Sequence, residues 1–304
     1  MLINNRIIAF IKKLTTPFYK HALGIEINHN SINIVELKLQ KEKPILTSFE
    51  SEIFSNKGEV NLANTIENMI SRCGVKSNIA VIAIDDSEIF TQKLVFPILK
   101  PKELKEAVKW EIDKYIPYEK DTYYYDFCIL NDKFNSKDMH VLIATVKKTV
   151  IDEIINDMDK LNIKILAIEG KSFALARNLS EPNCLMVDIN HNDSKIIVFQ
   201  EHIAIMIRDS ESSMDKIIFE VNQTLEWCKV QNQNIEINKI YINGNLFIAE
   251  PVVQFFRNQI INPIEFIDFT KDIDITESFD AQYIKESATE LFTAIGLAKR
   301  GLNL

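Results

Sequence analysis

Two acidic residues occupy equivalent places in a pattern that occurs twice along the chain. Glu26 lies in LGIEINHNSINIVELKL (residues 23–39), and Asp188 lies in CLMVDINHNDSKIIVFQEH (residues 184–202). In each copy an apolar strand ends next to the acid, a polar tip follows, and a second strand alternates apolar and polar residues. Carboxylates at such tips could hold a metal ion or a water molecule. The repeat predicts two lobes built by duplication, with one carboxylate from each lobe facing a shared cleft.

The tips of both hairpins lack the glycines of a phosphate-binding turn. A backbone that wraps closely around a phosphate favours glycine, whereas both tips carry the letters Ile-Asn-His-Asn. The whole chain has seven glycines among 304 residues. An average usage of about 7% would give roughly 21. The shortage fits either a proteome rich in Asn, Ile and Lys or the loss of glycine-dependent ligand loops.

Composition and charge exclude several classes of function. A net charge of -8 argues against nucleic-acid binding, which needs a basic surface. The four cysteines and five histidines show no metal-ligand spacing, which argues against a zinc site and favours free thiols in a reducing compartment. No apolar run approaches the ~18 residues that span a bilayer.

The N-terminal segment, residues 1–21, differs in charge from the rest of the chain. It contains Arg6, Lys12, Lys13 and Lys20 but no acid, and its apolar residues recur at helical spacing. The pattern predicts a basic amphipathic helix that either contacts a membrane surface or packs on its own lobe. A signal peptide is disfavoured, because the apolar stretch is short and no small-residue cleavage site follows.

The order of predicted elements divides the remaining chain into four parts. Three strands, a helix and a strand are predicted over residues 22–93 as the first lobe. Residues 94–170 follow as β-α-β-β-α-β, the ferredoxin-like order, and residues 171–281 form the second lobe. A long helix over residues 282–304 closes the chain and is expected to return to the first lobe. No low-complexity linker divides these parts, so a compact arrangement is expected.

Several segments resemble, in order, those of PilM-type type IV pilus assembly proteins. GIEINHNSINIVEL is similar to the first phosphate loop of this family, GIDIGSSSIKAVEL, and VDINHNDSKIIVF falls where its second loop belongs. ELKEAVKWEIDKYIPYEKDTYYYDF resembles the helix of the family that ends in a YIP turn, INGN its adenosine turn, and TAIGLAKR its closing AIGLALR. The match is collinear over roughly residues 20–300. It implies an α/β, actin-like fold of duplicated ribonuclease H-like lobes, with an inserted ferredoxin-like β-α-β-β-α-β subdomain.

The resemblance also implies that ATP and Mg²⁺ bind between the lobes. Asp188 matches the acid of the second loop and is the candidate metal ligand, while Glu26 replaces the aspartate of the first loop. Asn33 stands where the family has lysine, and Glu220 is placed to accept a hydrogen bond from a ribose hydroxyl. The candidate nucleotide-binding residues are Glu26, Asn28, Ser31, Asp188, Asn190, Glu220, Gly244 and Asn245.

The missing glycines argue against binding of ATP. Asparagine can enter the left-handed backbone region, so the turns can still form, but its side chain occupies space that a phosphate oxygen needs. No catalytic residue is indicated, so weak or absent ATPase activity is expected. Both hairpin acids could equally cap turns by accepting backbone N–H bonds.

The resemblance implies a non-enzymatic assembly protein, cytoplasmic and peripheral on the inner face of the plasma membrane. It would bind the short cytoplasmic N-terminal peptide of a PilN-like single-span protein and couple a pilus or secretion machine to its motor ATPase. The peptide would lie between the first lobe and the insertion. The candidate peptide-binding residues are Trp110, Tyr115, Tyr118, Tyr123 and Tyr125.

Two alternatives of the same fold remain. An active ATP-binding switch or ATPase would need working phosphate loops, which the two tips do not favour. A sugar or acyl kinase would need a catalytic aspartate in a substrate cleft, for which the sequence offers no compelling candidate. For Trp110 and Tyr115, packing inside the insertion is the alternative to a binding surface.

Overall fold

The structure is a computed structural model that describes most of the chain. The described residues are 19–54, 61–130, 138–189, 193–230, 235–244, 246–259, 262–276, 279 and 281–304. The predicted amphipathic segment 1–21 therefore lies almost entirely outside the described residues, as do Asn190 and Asn245. No helix in the described part is both long and apolar enough to cross a bilayer.

Along the described chain, groups of one to three strands are separated by α-helices. The strands are β1 (His21–Ile27), β2 (Ser31–Gln40), β3 (Lys43–Ile53), β4 (Ile79–Ile84), β5 (Phe90–Pro97), β6 (Tyr123–Leu130), β7 (Asp138–Lys147), β8 (Lys164–Gly170), β9 (Cys184–Ile189), β10 (Asp193–Gln200), β11 (Ile203–Glu211), β12 (Lys239–Gly244), β13 (Ile264–Phe266) and β14 (Asp274–Ile275). The helices are α1 (Leu62–Cys73), α2 (Pro101–Glu111), α3 (Lys148–Lys160), α4 (Lys171–Ala176), α5 (Met214–Val230), α6 (Leu246–Gln259) and α7 (Ala281–Gly301).

Two sheets of the same topology form the two lobes. The first has the order β14-β3-β2-β1-β4-β8 and the second β11-β10-β9-β12-β13. In both, three antiparallel strands from the hairpin region are followed by two parallel strands on the other side. The repeated hairpin therefore marks a duplicated lobe, and this part of the predicted fold is confirmed.

The first sheet is apolar along β1 and β4 because helices cover both of its faces. Ala22 and Val35 pack into a core with α7, while Leu23 and Ile25 pack on the opposite face with α1 and α3. α7 comes so close that a Cβ on Gly24 would lie 1.8 Å from the carbonyl oxygen of Ala294. Glycine is therefore required at this position for the helix to lie directly on the strand.

The insertion is smaller than the segment 94–170 that the sequence predicts. The elements of the whole segment occur in the order β-α-β-β-α-β. The insertion itself, however, has a sheet of only three strands, β5-β7-β6, and this sheet is covered by α2. The last strand, β8, pairs in parallel with β4, and α3 packs into the core of the first lobe. Most of β8 is buried, as expected for a strand that lies inside a parallel sheet with both faces covered.

The end of the chain returns to the first lobe. α7 packs on β1, β2 and β4, and the short strand β14 pairs with β3. β14 thus lies in the first sheet, although the predicted second lobe, 171–281, includes it. The two lobes are consequently connected twice, through α4 after β8 and through the segment that leads to β14 and α7.

Candidate functional site

The two hairpin acids lie at the ends of the equivalent strands β1 and β9. Glu26 is paired in register with Asn33 across the first hairpin. Asp188 is paired with Lys195 across the second hairpin and lies beside Asn243 of β12. Both acids are only 2% exposed. Such burial of a carboxylate demands a charged or hydrogen-bonded partner.

That partner is one lysine between the lobes. Lys171 is the first residue of α4, directly after β8, and its side chain is also buried. Its Nζ lies 3.0 Å from Asp188 Oδ2 and 3.4 Å from Glu26 Oε1. A single ammonium group therefore bridges the two carboxylates, one from each lobe.

The remaining carboxylate oxygens accept hydrogen bonds from asparagine side chains. Asn33 Nδ2 donates to Glu26 Oε2 over 2.9 Å, and Asn243 Nδ2 donates to Asp188 Oδ1 over 2.7 Å. Asn33 Oδ1 in turn accepts a 2.7 Å hydrogen bond from the hydroxyl of Ser51. Asn33, where the resembling family has lysine, thus serves as an uncharged partner of Glu26, while the cation comes from Lys171.

The electrostatics of the cluster favour a charged lysine. Burial alone would lower the pKa of Lys171, but the adjacent carboxylates of Asp188 and Glu26 outweigh it, so that the pKa is raised. The lysine therefore remains an ammonium at any physiological pH. It cannot serve as a proton acceptor in this arrangement.

A second pair of acids lies next to this cluster, just after β4. Asp85 Oδ1 lies 3.3 Å from Nζ of Lys195, which belongs to the second lobe. Asp86 accepts hydrogen bonds from the backbone N–H and the hydroxyl of Ser172 in α4. Burial would raise the pKa of Asp85, but Lys195 and the Ser87 N–H hold it at about 2. Burial raises the pKa of Asp86 to about 6, although Lys195 and Ser172 oppose the shift.

The other predicted nucleotide contacts have partners within the protein. Asn28 closes the first turn by donating from its backbone N–H to the Ser31 carbonyl and from Nδ2 to the Ser31 hydroxyl. The left-handed conformation that the sequence allows for Asn28 is not used. Glu220 Oε2 accepts a 2.9 Å hydrogen bond from Arg208, so this carboxylate is already ion-paired.

Gly244 has a structural reason to be glycine. Its φ is +133°, and a Cβ there would lie 2.2 Å from the carbonyl oxygen of Ile189. The end of β12 can approach the end of β9 only without a side chain at this position. Its predicted neighbour in the adenosine turn, Asn245, and the second tip residue, Asn190, lie outside the described residues.

The candidate peptide-binding residues fall into two groups. Trp110 on α2 is 76% exposed and Tyr115, shortly after it, is 48% exposed. Tyr118 and Tyr125 instead pack against the core of the insertion. Tyr123 is buried, and its hydroxyl donates to Asp113. The side chain of Tyr123 fills the space beneath α2, and a role for it in peptide binding stays a prediction.

Lys171 is not among the site residues predicted from the sequence, although the sequence contains one signal for it. A lysine that directly follows the apolar strand KILAIEG stands at the carboxyl end of a parallel strand. β8 is parallel to β1 in the same sheet, with β4 between them, so Glu26 lies at the same edge of the sheet as Lys171. Clefts of open α/β sheets form at such edges. A lysine at that position is thus a candidate partner for the hairpin acid.

The donor set of the cleft does not fit a metal–nucleotide group. Each acid has one oxygen facing an asparagine amide and the other facing the Lys171 ammonium. Among the described residues, no group of three His, Cys, Asp or Glu side chains could hold a metal ion.

Comparison with known structures finds several similar proteins. The "PilM-PilN type IV pilus biogenesis complex" is 18% identical, with 94% of this chain and 99% of that chain covered and a TM-score of 0.76. The cytoplasmic domain of EpsL, from the type II secretion system of Vibrio cholerae, is 9% identical over 88% of this chain and 95% of that one, with a TM-score of 0.49. A Bacteroides thetaiotaomicron protein with an actin-like ATPase fold and unknown function is 11% identical over 82% and 91%, with a TM-score of 0.47.

Comparison with protein families gives the classification of the chain. A search of curated protein sequences finds no significant match. The family profile of the type IV pilus assembly protein PilM matches residues 24–217. This range contains both hairpins, the insertion and the whole of β8 and α4. The chain belongs to the type IV pilus assembly protein PilM family.

Proposed function

We propose that this chain is a non-enzymatic assembly protein of a type IV pilus or a related secretion machine. In this proposal it binds the short cytoplasmic N-terminal peptide of a PilN-like single-span protein at the inner face of the plasma membrane. Membership of the PilM family and the likeness to the PilM–PilN complex support the partner. Binding of the peptide would couple the membrane part of the machine to its motor ATPase.

The main support for the proposal comes from apolar side chains that the insertion exposes to solvent, among them Trp110 and Tyr115. The insertion presents several large apolar side chains to solvent. They are Val95, Ile98, Trp110, Tyr115 and Ile129. Tryptophan and tyrosine are the side chains that contribute most often to binding energy at protein interfaces. An indole that is 76% exposed gains little from its own fold and is better explained as a contact for a partner.

The strand β6 offers a second element of such a site. It is an outer strand of the three-stranded sheet, so one of its edges is not paired within that sheet. An extended peptide can add to such an edge through main-chain hydrogen bonds while its side chains enter flanking pockets. Tyr124, on the opposite face of β6 from Tyr123, donates to Asp152 of α3 over 2.9 Å. β6 therefore contacts the first lobe through Tyr124, and we propose that the peptide adds to β6 next to this contact.

The same proposal assigns no catalytic role to the cleft between the lobes. The Lys171 ammonium between Glu26 and Asp188 and the asparagines on their other oxygens support a degenerate nucleotide site. The first turn, closed by Asn28 and Ser31 without glycine, supports it as well.

A peptide-binding measurement tests this function. The probe is a fluorescent peptide with the cytoplasmic N-terminal residues of a PilN-like single-span protein from the same organism, and the readout is anisotropy. Trp110→Ala is expected to weaken binding by roughly 30-fold, the effect of losing about 2 kcal/mol at an interface hot spot. Phe219→Ala is the matched control, since Phe219 is a 56% exposed aromatic residue on α5 of the second lobe.

The outcomes separate the proposal from non-specific adhesion. Binding that depends on Trp110 and not on Phe219 supports a site on the insertion. If the unmodified protein does not bind the peptide, or if both substitutions weaken binding equally, the proposed function is wrong.

A further inference from the structure

The cleft between the lobes contains a buried cation that belongs to the chain itself. Lys171 Nζ lies 3.0 Å from a carboxylate of the second lobe, Asp188, and 3.4 Å from a carboxylate of the first lobe, Glu26. All three side chains are almost completely buried. Lys171 is carried by α4, the segment through which the chain passes from one lobe to the other.

The Lys171 ammonium compensates the charges of the two carboxylates between which it lies. Two carboxylates that face each other in a buried cleft repel one another, and the repulsion is removed by a cation between them. In a two-lobed protein the cation can be supplied by a ligand, which then links the lobes only while it is bound. Here it is covalently attached to the chain, so the link does not depend on a ligand.

We infer that the Lys171 ammonium replaces a metal–nucleotide group as the link between the lobes, and that it holds the cleft closed without ATP. This inference rests on the proposed function, which assigns no nucleotide chemistry to the cleft. The consequence is regulatory. Because Lys171 is part of the chain, the cleft between the lobes stays closed and the conformation that a partner binds does not change with the concentration of ATP or Mg²⁺.

A second ion pair acts in the same direction. Lys195 of the second lobe lies 3.3 Å from Asp85 of the first lobe, and both side chains are largely buried. Asp86, the neighbour of Asp85, holds the first turn of α4 through the Ser172 N–H and hydroxyl. The helix that carries Lys171 is thus fixed to the first lobe, and this fixes the ammonium at its position between the acids.

The first test removes the cation and keeps the shape. Lys171→Met leaves Glu26 and Asp188 as two uncompensated buried charges, and the loss of one partner of a buried ion pair lowers the melting temperature by roughly 10 °C. Mn²⁺ at millimolar concentration is expected to restore part of this loss, because two carboxylates without an intervening ammonium form a site for a divalent cation. The unmodified protein is expected to show no shift with Mn²⁺ or with Mg-ATP.

Two further variants control this test. Lys160→Met removes an exposed lysine that pairs with Asp157 on the surface, and it is expected to leave the melting temperature unchanged. The triple variant Lys171→Met, Glu26→Gln, Asp188→Asn removes all three charges together. It is expected to be more stable than Lys171→Met alone and insensitive to Mn²⁺, and it keeps the test informative if the single variant does not fold.

The results distinguish this inference from the proposed function. A melting temperature of Lys171→Met equal to that of the unmodified protein would overturn the inference, as would a triple variant that is no more stable than Lys171→Met. A rise in the melting temperature of the unmodified protein with Mg-ATP that Asp188→Asn abolishes would also overturn it. None of these results concerns peptide binding to the insertion, which is measured separately with the unmodified protein.

Discussion

The charge cluster around Glu169 provides a sharp test of how the two lobes and the closing helix are joined. Glu169 lies near the end of β8 and is fully buried. Its Oε1 and Oε2 accept hydrogen bonds from Arg177, which follows α4, over 2.8 and 3.1 Å. Its Oε2 is also ion-paired with Arg300 of α7, which is 5% exposed. One carboxylate thus joins the first sheet, the connection between the lobes and the C-terminal helix.

The substitution Glu169→Gln keeps the size of the side chain and removes its charge. Burial lowers the pKa of Arg300, and the Glu169 carboxylate opposes that shift. Without the carboxylate, the guanidinium groups of Arg177 and the buried Arg300 lose the negative charge that they share. Breaking a buried ion pair in this way costs about 3–5 kcal/mol, which corresponds to a fall of roughly 10 °C in the melting temperature.

The measurement is thermal and urea unfolding of Glu169→Gln beside the unmodified protein. Glu50→Gln is the matched control, because Glu50 is ion-paired with the exposed Arg72 on the surface and its loss should not change stability measurably. If Glu169→Gln unfolds within a degree or two of the unmodified protein, the cluster does not stabilise the junction as described.

Three further predictions address packing, titration and location. Gly24→Ala should lower the free energy of unfolding in urea by about 1–3 kcal/mol or more, because the new Cβ would lie 1.8 Å from the Ala294 carbonyl oxygen. Unchanged stability would contradict the direct contact of α7 with β1. Burial raises the pKa of Asp86 from 3.8 to about 6, so this carboxyl group stabilises the fold below pH 4 and loses that contribution as the pH rises through 6. The unmodified protein should therefore gain about 2 kcal/mol relative to Asp86→Asn between pH 7 and pH 4, and parallel pH profiles would contradict this. Deletion of residues 1–18 should abolish flotation with anionic vesicles and leave the melting temperature nearly unchanged, whereas loss of folding would favour packing on the first lobe.

The duplicated lobes could be predicted from the sequence because each hairpin carries its own signal. The strands around Glu26 and Asp188 have the same apolar pattern and the same tip, and local periodicity suffices to recognise them. Their meeting in one cleft follows from the symmetry of the two lobes. Trp110 and Tyr115 could also be selected from the sequence as candidate peptide-binding residues. The helical pattern places Trp110 on a predicted helix and Tyr115 at its end.

The cation between the acids could not be read from local pattern alone. Lys171 is a lysine after a strand, and such residues are usually solvated. Only the approach of the second lobe places Asp188 next to it and removes it from water. Likewise, the apolar residues of β8 fit an insertion as well as a central sheet, and its pairing with β4 joins two segments that lie far apart in sequence. Tyr123 shows the reverse case, because its neighbours on β6 are partly exposed while it is covered by α2.

The affinity of the PilN-like peptide with and without Mg-ATP tests the central claim most directly. We predict that the unmodified protein binds the peptide equally tightly in both conditions, because the Lys171 ammonium, and not a nucleotide, links Glu26 and Asp188. An affinity that requires Mg-ATP, or that changes several-fold when it is added, would contradict the account.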